Sequence, residues 1–405
     1  MLTALTESNK IVNTLNFTRL QLKSLTTIKN QFYCPHCKSP LQLKVGYQKI
    51  PHFAHISTKT CSFTNQSESI QHLTSKKLLY DLLKTKYDQV HLEHYFHNVE
   101  QIADIWLETD TDSIAIELQC SSISISELRR RTKGYLSSRI QPLWILVQPI
   151  THRLPLSLTS FQQSFIRYSS TLGYFLLQFS PEERQFNIYT HLVPISLTKF
   201  SGNKTILPLT GFSFPITLSQ VNQTICLTPE DWWRYRKKWS ANKIGFSGRR
   251  KDLFLQEVYN DGDIFQYLPA YIGLPVPHMI LIKNHPIEWQ YYIWKDILKG
   301  KMIRSNIRVS EVVSTLKERI KKNNLVLRNF PFIRTHRYDL TYIVQQYLFL
   351  LQELGILVEV QQNIFQLIQP WQTFQTFDEM EGYNDELFLK WKHILNRTKL
   401  QEKSF

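Results

Sequence analysis

The apolar positions of the chain change their spacing several times between residues 67 and 120. From 67 to 87 they recur at the helical period, which predicts a helix with one apolar stripe. The next apolar runs are short and separated by polar turns, which is typical of strands. We expect three such strands, over 90–96, 102–108 and 113–120.

A second helix and a fourth strand follow. Ser124 and Glu127 have the spacing of a capping box, which predicts a helix from about 125 to 139. The continuous apolar run at 143–147 is consistent with a buried strand. The order helix, three strands, helix, strand indicates an α/β layer structure.

Outside this region the pattern is weaker. Residues 1–30 alternate around Ser8-Asn9-Lys10 and predict a small hairpin and a linker. Residues 156–228 contain short β-like runs that we do not assign. Thr228 before Pro229 marks a helix start. A helix over 338–354, ended by Gly355 and followed by two strand-like runs, has the order found in winged-helix modules.

Composition narrows the class of protein. The 405 residues suggest two or three domains, and 42% hydrophobic and 20% charged residues argue for a folded chain. The net charge of +15 favours an anionic partner, with nucleic acid ahead of an anionic membrane surface. Five cysteines, an odd number, do not resemble a secreted disulfide framework. No signal-peptide pattern and no stretch of 18 apolar residues is visible, so we expect a soluble cytoplasmic protein without stable membrane insertion.

A compact N-terminal segment carries residues that bind zinc in proteins. Cys34 and Cys37 form a C-x-x-C knuckle, and His52, His55 and Cys61 follow it. Zinc takes thiolate and imidazole ligands in a tetrahedron, and a two-residue gap lets both sulfurs reach one ion. We therefore predict a structural zinc site with the three cysteines and one histidine; the choice of histidine stays open, with His55 preferred. The alternatives are a redox C-x-x-C pair or unrelated thiols.

Two carboxylates lie on neighbouring predicted strands. A hairpin centred between Asp110 and Thr111 places Asp104 directly opposite Glu117, and Gln119 shares that face. Carboxylates at one point repel each other unless a cation joins them, and oxygen ligands suit Mg²⁺ or Mn²⁺. The spacing predicts a divalent-metal site. The alternative is an ordinary amphipathic hairpin with solvated acids.

The flanking helices offer further polar groups. Glu68, His72 and Lys76 lie four residues apart and share one helical face, so Glu68 is a candidate third carboxylate. Arg131 and Tyr135 have the same spacing on the second helix, and Arg131 is suited to clamp a phosphate. The alternative for both sets is a solvated helix face.

Two sets of motifs together resemble the competence CoiA family of Gram-positive bacteria. The first is FYCPHC at 32–37 with HFAH at 52–55, and the second is IADIW at 102–106, IELQCS at 116–121 and RTKGY at 131–135. The resemblance covers roughly residues 1–150. It implies a restriction-endonuclease-like (PD-(D/E)xK) α/β core with an N-terminal zinc-finger-like module, and a role in natural transformation, where incoming DNA is processed or recombined.

The resemblance also implies roles for individual residues. The resemblance places the motif's Asp on Asp104, its second acid on Glu117 and the position of its usual Lys on Gln119. The acid of the first core helix falls on Glu68. The Arg and Tyr of the following helix fall on Arg131 and Tyr135. Gln119 departs from the wider nuclease pattern, although E-x-Q is familiar in this family. Glutamine can orient water but carries no charge, so catalysis would depend more on the metal, Arg131 or Lys76.

A basic and aromatic stretch near residue 240 is a candidate DNA contact. Trp and Tyr side chains interleave there with basic residues, and aromatic rings can stack on unpaired bases. The alternative is a helix whose tryptophans belong to the core. The basic residues concerned are Arg234, Arg236, Lys237, Lys238, Arg249 and Arg250.

Two functions are compatible with these patterns. One is a Mg²⁺- or Mn²⁺-dependent deoxyribonuclease, and the other is a non-catalytic accessory that binds single-stranded DNA and recruits a recombinase. We expect four regions: the zinc module at 1–66, the nuclease-like core at 67–150, a mixed connection at 151–228 and a basic, mostly α-helical, winged-helix-like region at 229–405.

Overall fold

The computed structural model describes residues 1–27, 31–56, 61, 68–151, 153–214, 227–246, 252–333 and 339–402. It has a mixed α/β architecture in which three sheets are separated by helices. None of the helices in the described ranges combines the length and the hydrophobicity of a membrane-spanning segment.

The first sheet is small and antiparallel. Its strands have the order β2-β1-β3-β4-β5. The predicted hairpin at the start of the chain is confirmed, since Ala4 pairs with Val12, and Asn9 in the turn has a φ of 60°. The elements are β1 (Thr3–Thr6), β2 (Ile11–Asn13), α1 (Arg19–Thr27), β3 (Phe32–Tyr33), β4 (Pro40–Lys44) and β5 (His52–His55).

The predicted order helix, three strands, helix, strand is confirmed. The elements are α2 (Ile70–Lys84), β6 (Gln89–Phe96), β7 (Gln101–Glu108), β8 (Ser113–Gln119), α3 (Ile125–Ser137) and β9 (Gln141–Leu146). Ser69 and Ser124 cap the two helices, each accepting a backbone N–H of the first turn. Strands β6, β7 and β8 are antiparallel, and β9 runs parallel to β8.

The two helices cover opposite faces of this sheet. Ile116 of β8 packs in a cluster with Leu73 and Leu79 of α2. Ala115, the neighbouring residue on β8, packs instead with Tyr135 of α3. Because successive side chains of a strand point to opposite faces, α2 and α3 lie on the two sides.

The region that the sequence left unassigned continues the same sheet. The nine-stranded sheet has the order β10-β14-β13-β12-β9-β8-β7-β6, with β11 paired to β12. It is therefore continuous across the expected boundary at residue 150. The added elements are β10 (Leu156–Ser157), α4 (Ser160–Gln163), β11 (Arg167–Ser169), β12 (Gly173–Ser180), β13 (Gln185–Pro194) and β14 (Lys199–Pro208).

The C-terminal part contains helices and one three-stranded sheet around a large apolar cluster. Its first helix begins at Pro229, as predicted, and Thr228 Oγ accepts the N–H of Asp231 at 3.0 Å. Gly355, with a φ of +76°, follows the helix that ends at Glu353. The elements are α5 (Pro229–Phe246), α6 (Leu253–Asn260), α7 (Pro286–Ile293), β15 (Asn306–Arg308), α8 (Val309–Lys321), α9 (Leu340–Glu353), β16 (Leu357–Gln361), β17 (Ile364–Leu367) and α10 (Phe377–Glu402).

Candidate functional site

Three cysteines and one histidine meet beside the N-terminal sheet. Ligand atoms of Cys34, Cys37, His55 and Cys61 all lie within 4.8 Å of one another. Cys37 Sγ is 3.3 Å from His55 Nε2. A tetrahedral zinc ion with bonds of about 2.3 Å separates its sulfur ligands by about 3.8 Å, so the group fits zinc. It is a Cys₃His group that could bind this metal.

The environment of this group differs between its members. Burial raises the pKa of the Cys34 thiol to about 12. Burial also acts to raise the pKa of Cys37, but hydrogen bonds from Ser39 and His55 outweigh it and lower that pKa to about 6. His52 is not part of the close group, and its Nδ1 lies 2.8 Å from the carbonyl oxygen of Ile50.

Strands β7 and β8 pair in the predicted register. Ile105 lies opposite Ile116, and the next residue pair along the ladder would be Asp104 and Glu117. The described pairing of the two strands ends at Ile105 and Ile116, and beyond it the Asp104 carboxylate binds the backbone of β8. Its Oδ2 accepts the backbone N–H of Leu118 at 2.9 Å, where a ladder hydrogen bond would otherwise form.

Asp104 faces His72 of α2, which in turn contacts Glu68, two residues before that helix begins. His72 Nε2 lies 3.1 Å from Asp104 Oδ2, and His72 Nδ1 lies 3.1 Å from Glu68 Oε1. Ligand atoms of these three residues all lie within 4.8 Å of one another. Burial acts to lower the pKa of His72, but Asp104 and Glu68 outweigh it and raise that pKa to about 9. The group is an acidic pair joined by an imidazole.

A buried lysine completes this side of the site. Lys76 is only 1% exposed, and its ammonium forms ion pairs with Glu68 and Glu93 and lies 3.9 Å from Asp104 Oδ1. Burial acts to lower the pKa of Lys76, but the surrounding carboxylates raise it above its usual range. Together with His72, these four residues form a compact charge cluster at the junction of α2, β6 and β7.

Glu93 is the member of this cluster that sequence reasoning missed. Its carboxylate also accepts the backbone N–H groups of Leu2, at 2.8 Å, and Thr3, at 3.0 Å, which ties the N-terminal sheet to the site. Glu93 has a φ of 52°, an irregularity within β6 that interrupts the alternation of side chains. The sequence carries no signal for this irregularity.

Glu117 is held by two side chains of α3. Its carboxylate accepts hydrogen bonds from Arg131 and Tyr135 of α3. Burial, reinforced by Asp104 and opposed by Arg131, raises the pKa of Glu117 to about 7. Glu117 is not a member of the close group formed by Glu68, His72 and Asp104. A ligand sphere shared by Asp104 and Glu117 therefore stays a prediction.

The side chain of Gln119 forms a hydrogen bond with the backbone just beyond the end of β8. Its Nε2 donates to the carbonyl oxygen of Ser121 at 2.5 Å, and the residue is 8% exposed. No positive charge comes from this position, whereas Lys76 brings one from the helix opposite.

The tryptophans of α5 belong to the core. Trp232 and Trp233 are 1% and 9% exposed, and Trp232 Nε1 donates to the carbonyl oxygen of Gly273 at 3.0 Å. Arg236 is also buried and donates to the carbonyl oxygen of Ile272 at 3.0 Å. Its guanidinium is therefore not available to a phosphate, which corrects the expectation for this residue.

The other predicted DNA contacts have different surroundings. Arg234 and Lys237 are both exposed. The Arg234 guanidinium lies 2.5 Å from the Asp231 carboxylate, and the Lys237 ammonium lies 3.5 Å from the Glu381 carboxylate. Lys238 is exposed as well. Arg249 and Arg250 lie outside the described residues.

Comparisons with known proteins agree on one family. The family models for the N-terminal, nuclease-like and C-terminal domains of competence protein CoiA match residues 15–64, 68–222 and 227–380. The chain is 29% identical over 358 residues to a competence protein CoiA from Bacillus subtilis (strain 168), covering 84% of this chain and 91% of that protein. No solved structure matches the chain.

Proposed function

We propose that this chain, which belongs to the competence protein CoiA family, is a metal-dependent nuclease that processes incoming DNA during natural transformation and recombination. The match of residues 68–222 to a nuclease-like domain supports a reaction on DNA. The observation that carries the proposal is the close group of Glu68, His72 and Asp104 at the junction of α2 and β7.

The donor chemistry of this group fits a divalent cation. Asp104 and Glu68 offer carboxylate oxygens, which Mg²⁺ and Mn²⁺ prefer. The His72 imidazole would become a further ligand only on losing the proton that its two acidic partners stabilise. Glu117 would be the second acid across the ladder. When bound, such a metal lowers the pKa of a coordinated water and stabilises negative charge on a phosphate.

The remaining side chains supply positioning and charge. Arg131 lies against Glu117 and is suited to bind a phosphate oxygen once a substrate enters. Tyr135, which donates to the same carboxylate, fixes its orientation. Gln119 would orient a water by hydrogen bonds, and Lys76 supplies the fixed positive charge that Gln119 cannot.

The N-terminal module would contribute structure rather than catalysis. We propose that Cys34, Cys37, His55 and Cys61 bind one zinc ion, which would tie together a segment with a small apolar core. A stable module also keeps Leu2 and Thr3 in place against Glu93, beside the candidate site.

A cleavage assay tests the proposal. Purified protein is incubated with linear, supercoiled and single-stranded DNA in Mg²⁺, in Mn²⁺ and in EDTA. We expect metal-dependent cleavage that disappears in Asp104→Ala and persists in Asp110→Ala, which removes an exposed acid from the turn of the same hairpin. Cleavage that Asp104→Ala retains, or that EDTA leaves unchanged, would refute the assignment.

A second function is favoured by one observation. The described acids of the site already have cationic neighbours. Lys76 lies among Glu68, Glu93 and Asp104, and His72 lies between Glu68 and Asp104. Arg131 pairs with Glu117. A site satisfied without metal fits a DNA-binding accessory that kept the fold and recruits a recombinase to single strands. DNA that is retarded but intact, equally with Asp104→Ala, would support this function.

A further inference from the structure

A polar cleft lies in the C-terminal part, outside the nuclease-like domain. It has a volume of about 490 Å³ and is bounded by the start of α8, the start of α9 and the turn between β16 and β17. The polar side chains that line it are Arg308, Ser310, Ser314, Lys317, Thr341, Gln362 and Asn363.

The elements around the cleft follow a recognisable order. Helix α7 leads to β15, α8, α9, β16 and β17, and the three strands pair in the order β15-β17-β16. A helix, a strand, two helices and a final hairpin whose last strand pairs with the first strand is the topology of a winged helix. Ile307, Val312 and Phe365 from three of these elements are buried in the common core.

We propose that the described residues 286–333 and 339–367 belong to a winged-helix module and that this cleft binds the sugar–phosphate backbone of duplex DNA. The inference rests on the proposed action on DNA but not on cleavage. It assigns a second DNA contact to the part of the chain that the family comparison describes only as a C-terminal domain.

The charges of the cleft favour an anionic backbone. Arg308 and Lys317 are exposed, and neither forms an ion pair with another described residue. The acids on the same helix are already engaged, since Glu311 lies 3.5 Å from Lys301 and Glu318 lies 2.6 Å from Lys321. Arginine and lysine, with serine, threonine and asparagine beside them, make most contacts to DNA phosphates.

The absence of basic residues on α9 indicates what the module does not read. This helix, Leu340–Glu353, occupies the place of a recognition helix, and its sequence LTYIVQQYLFLLQE contains no Arg, Lys or His. Arginine bonded to guanine is the commonest specific contact in the major groove. We therefore expect binding through the backbone with little sequence preference.

Binding is measured by fluorescence anisotropy with a labelled 20-bp duplex in EDTA, so that no cleavage occurs. The full chain is compared with Arg308→Ala/Lys317→Ala and with Lys10→Ala/Lys199→Ala, which removes the same charge from exposed positions elsewhere. We expect the cleft variant to bind at least about tenfold more weakly and to lose about 2 from the slope of log K against log salt. The control should stay within about twofold.

A single substitution tests the cleft independently of how well the double variant folds. Ser310→Asp adds a negative charge in the first turn of α8, where an acid stabilises a helix, yet it should repel phosphate and weaken duplex binding. Unchanged affinity in both cleft variants, or an equal loss in the control, would overturn the proposal.

Anionic vesicles provide the competing outcome. Met302 and Ile303 are 78% and 52% exposed next to Arg304, a combination that also suits a lipid surface. Vesicles with one quarter phosphatidylglycerol should bind the cleft variants as strongly as they bind the wild type. If the cleft variants instead lose vesicle binding and keep duplex binding, the proposal is contradicted. Duplex binding through the cleft without any cleavage would instead refute the nuclease and leave this inference standing.

Discussion

Lys76 is a buried cation among three carboxylates, and its replacement by methionine tests whether these acids need a positive charge. Methionine is similar in length but carries no charge, so Glu68, Glu93 and Asp104 would lose the ammonium that they share. Only Glu68 and Asp104 would still have His72 as a cationic neighbour. The variant keeps the volume of the side chain and changes one property of the site.

The structure sets the size of the effect. At 3.9 Å, the attraction between Lys76 and Asp104 alone is about 4 kcal/mol before desolvation is counted, for an effective dielectric constant of about 20. Removing one partner of a buried ion pair costs about 3–5 kcal/mol, because the remaining charge is left uncompensated. We expect Lys76→Met to lower the free energy of unfolding by about that amount in EDTA.

A divalent cation should reverse part of this loss. A ligand at one hundred times its dissociation constant stabilises the folded state by about 2.7 kcal/mol. Chemical unfolding followed by circular dichroism, in EDTA and in 1 mM MnCl₂, should therefore show a larger metal effect for Lys76→Met than for the wild type. Lys76→Met/Glu93→Gln should be less destabilised than the single variant, because one repelling carboxylate is removed with the lysine.

The neighbouring lysine is the matched control. Lys77 is 41% exposed and pairs with Asp81 on the surface of the same helix, so Lys77→Met should cost less than about 1 kcal/mol. If Lys76→Met unfolds within about 1 kcal/mol of the wild type, or if Mn²⁺ has the same effect on both proteins, the acids are not a cation site.

Zinc, a buried histidine and a glycine at a helix end give three further predictions. Metal analysis of reduced protein should find about one equivalent of zinc, and less than about half in Cys61→Ser. His285 Nδ1 accepts the N–H of Ile287 at 3.2 Å, and burial holds the pKa of His285 well below 6.5. The neutral side chain of His285 therefore contributes fully to stability above about pH 6.5. This contribution is lost as the pH falls, by up to about 1.4 kcal/mol per pH unit. Thermal unfolding between pH 7.5 and 5 should show a weaker pH dependence in His285→Asn, which keeps a capping oxygen. Gly355→Ala should lower the free energy of unfolding by about 1 kcal/mol, because φ is +76°.

Each of these predictions has a control in the same chain. Cys120→Ser should keep its zinc, since Cys120 is not in the ligand group. His97→Asn, which replaces an exposed histidine, should leave the pH dependence of unfolding unchanged. Gly300→Ala should be tolerated, because its φ is not positive and a Cβ there would meet no atom within 4 Å. Zinc retained by Cys61→Ser, coincident pH profiles, or an equal cost at both glycines would contradict the respective argument.

The sequence predicts the elements around the candidate site because local signals and packing agree there. Ser69 and Ser124 cap helices whose apolar stripes face the sheet, and the turn at Asp110 fixes the pairing of β7 with β8. The pattern fails over β12 and β13, since five consecutive residues at 176–180, and again at 186–190, are buried. Strands buried on both faces lose the alternation by which they are recognised.

The side of a helix or strand on which a polar residue lies is harder to predict from the sequence. His52 and His55 are three residues apart on β5 and therefore face opposite sides, but only the fold decides that His55 meets the cysteines. In the same way, a helix rich in Trp, Lys and Arg gives no sign that Trp232 and Arg236 turn inward while Arg234 turns outward.

The charge balance of the site explains why Gln119 is compatible with a role on DNA. A lysine at this position would bring a second ammonium close to Asp104 and Glu117, but Lys76 already approaches Asp104 from α2, and Arg131 approaches Glu117 from α3. Both acids thus have a cation from a helix, one on each face of the sheet. With charge supplied from the helices, position 119 needs only a neutral group that forms hydrogen bonds, and we infer that the E-x-Q form and Lys76 compensate each other. The inference predicts that Gln119→Lys restores part of the proposed cleavage activity that Lys76→Met loses, and a double variant no more active than Lys76→Met would contradict it.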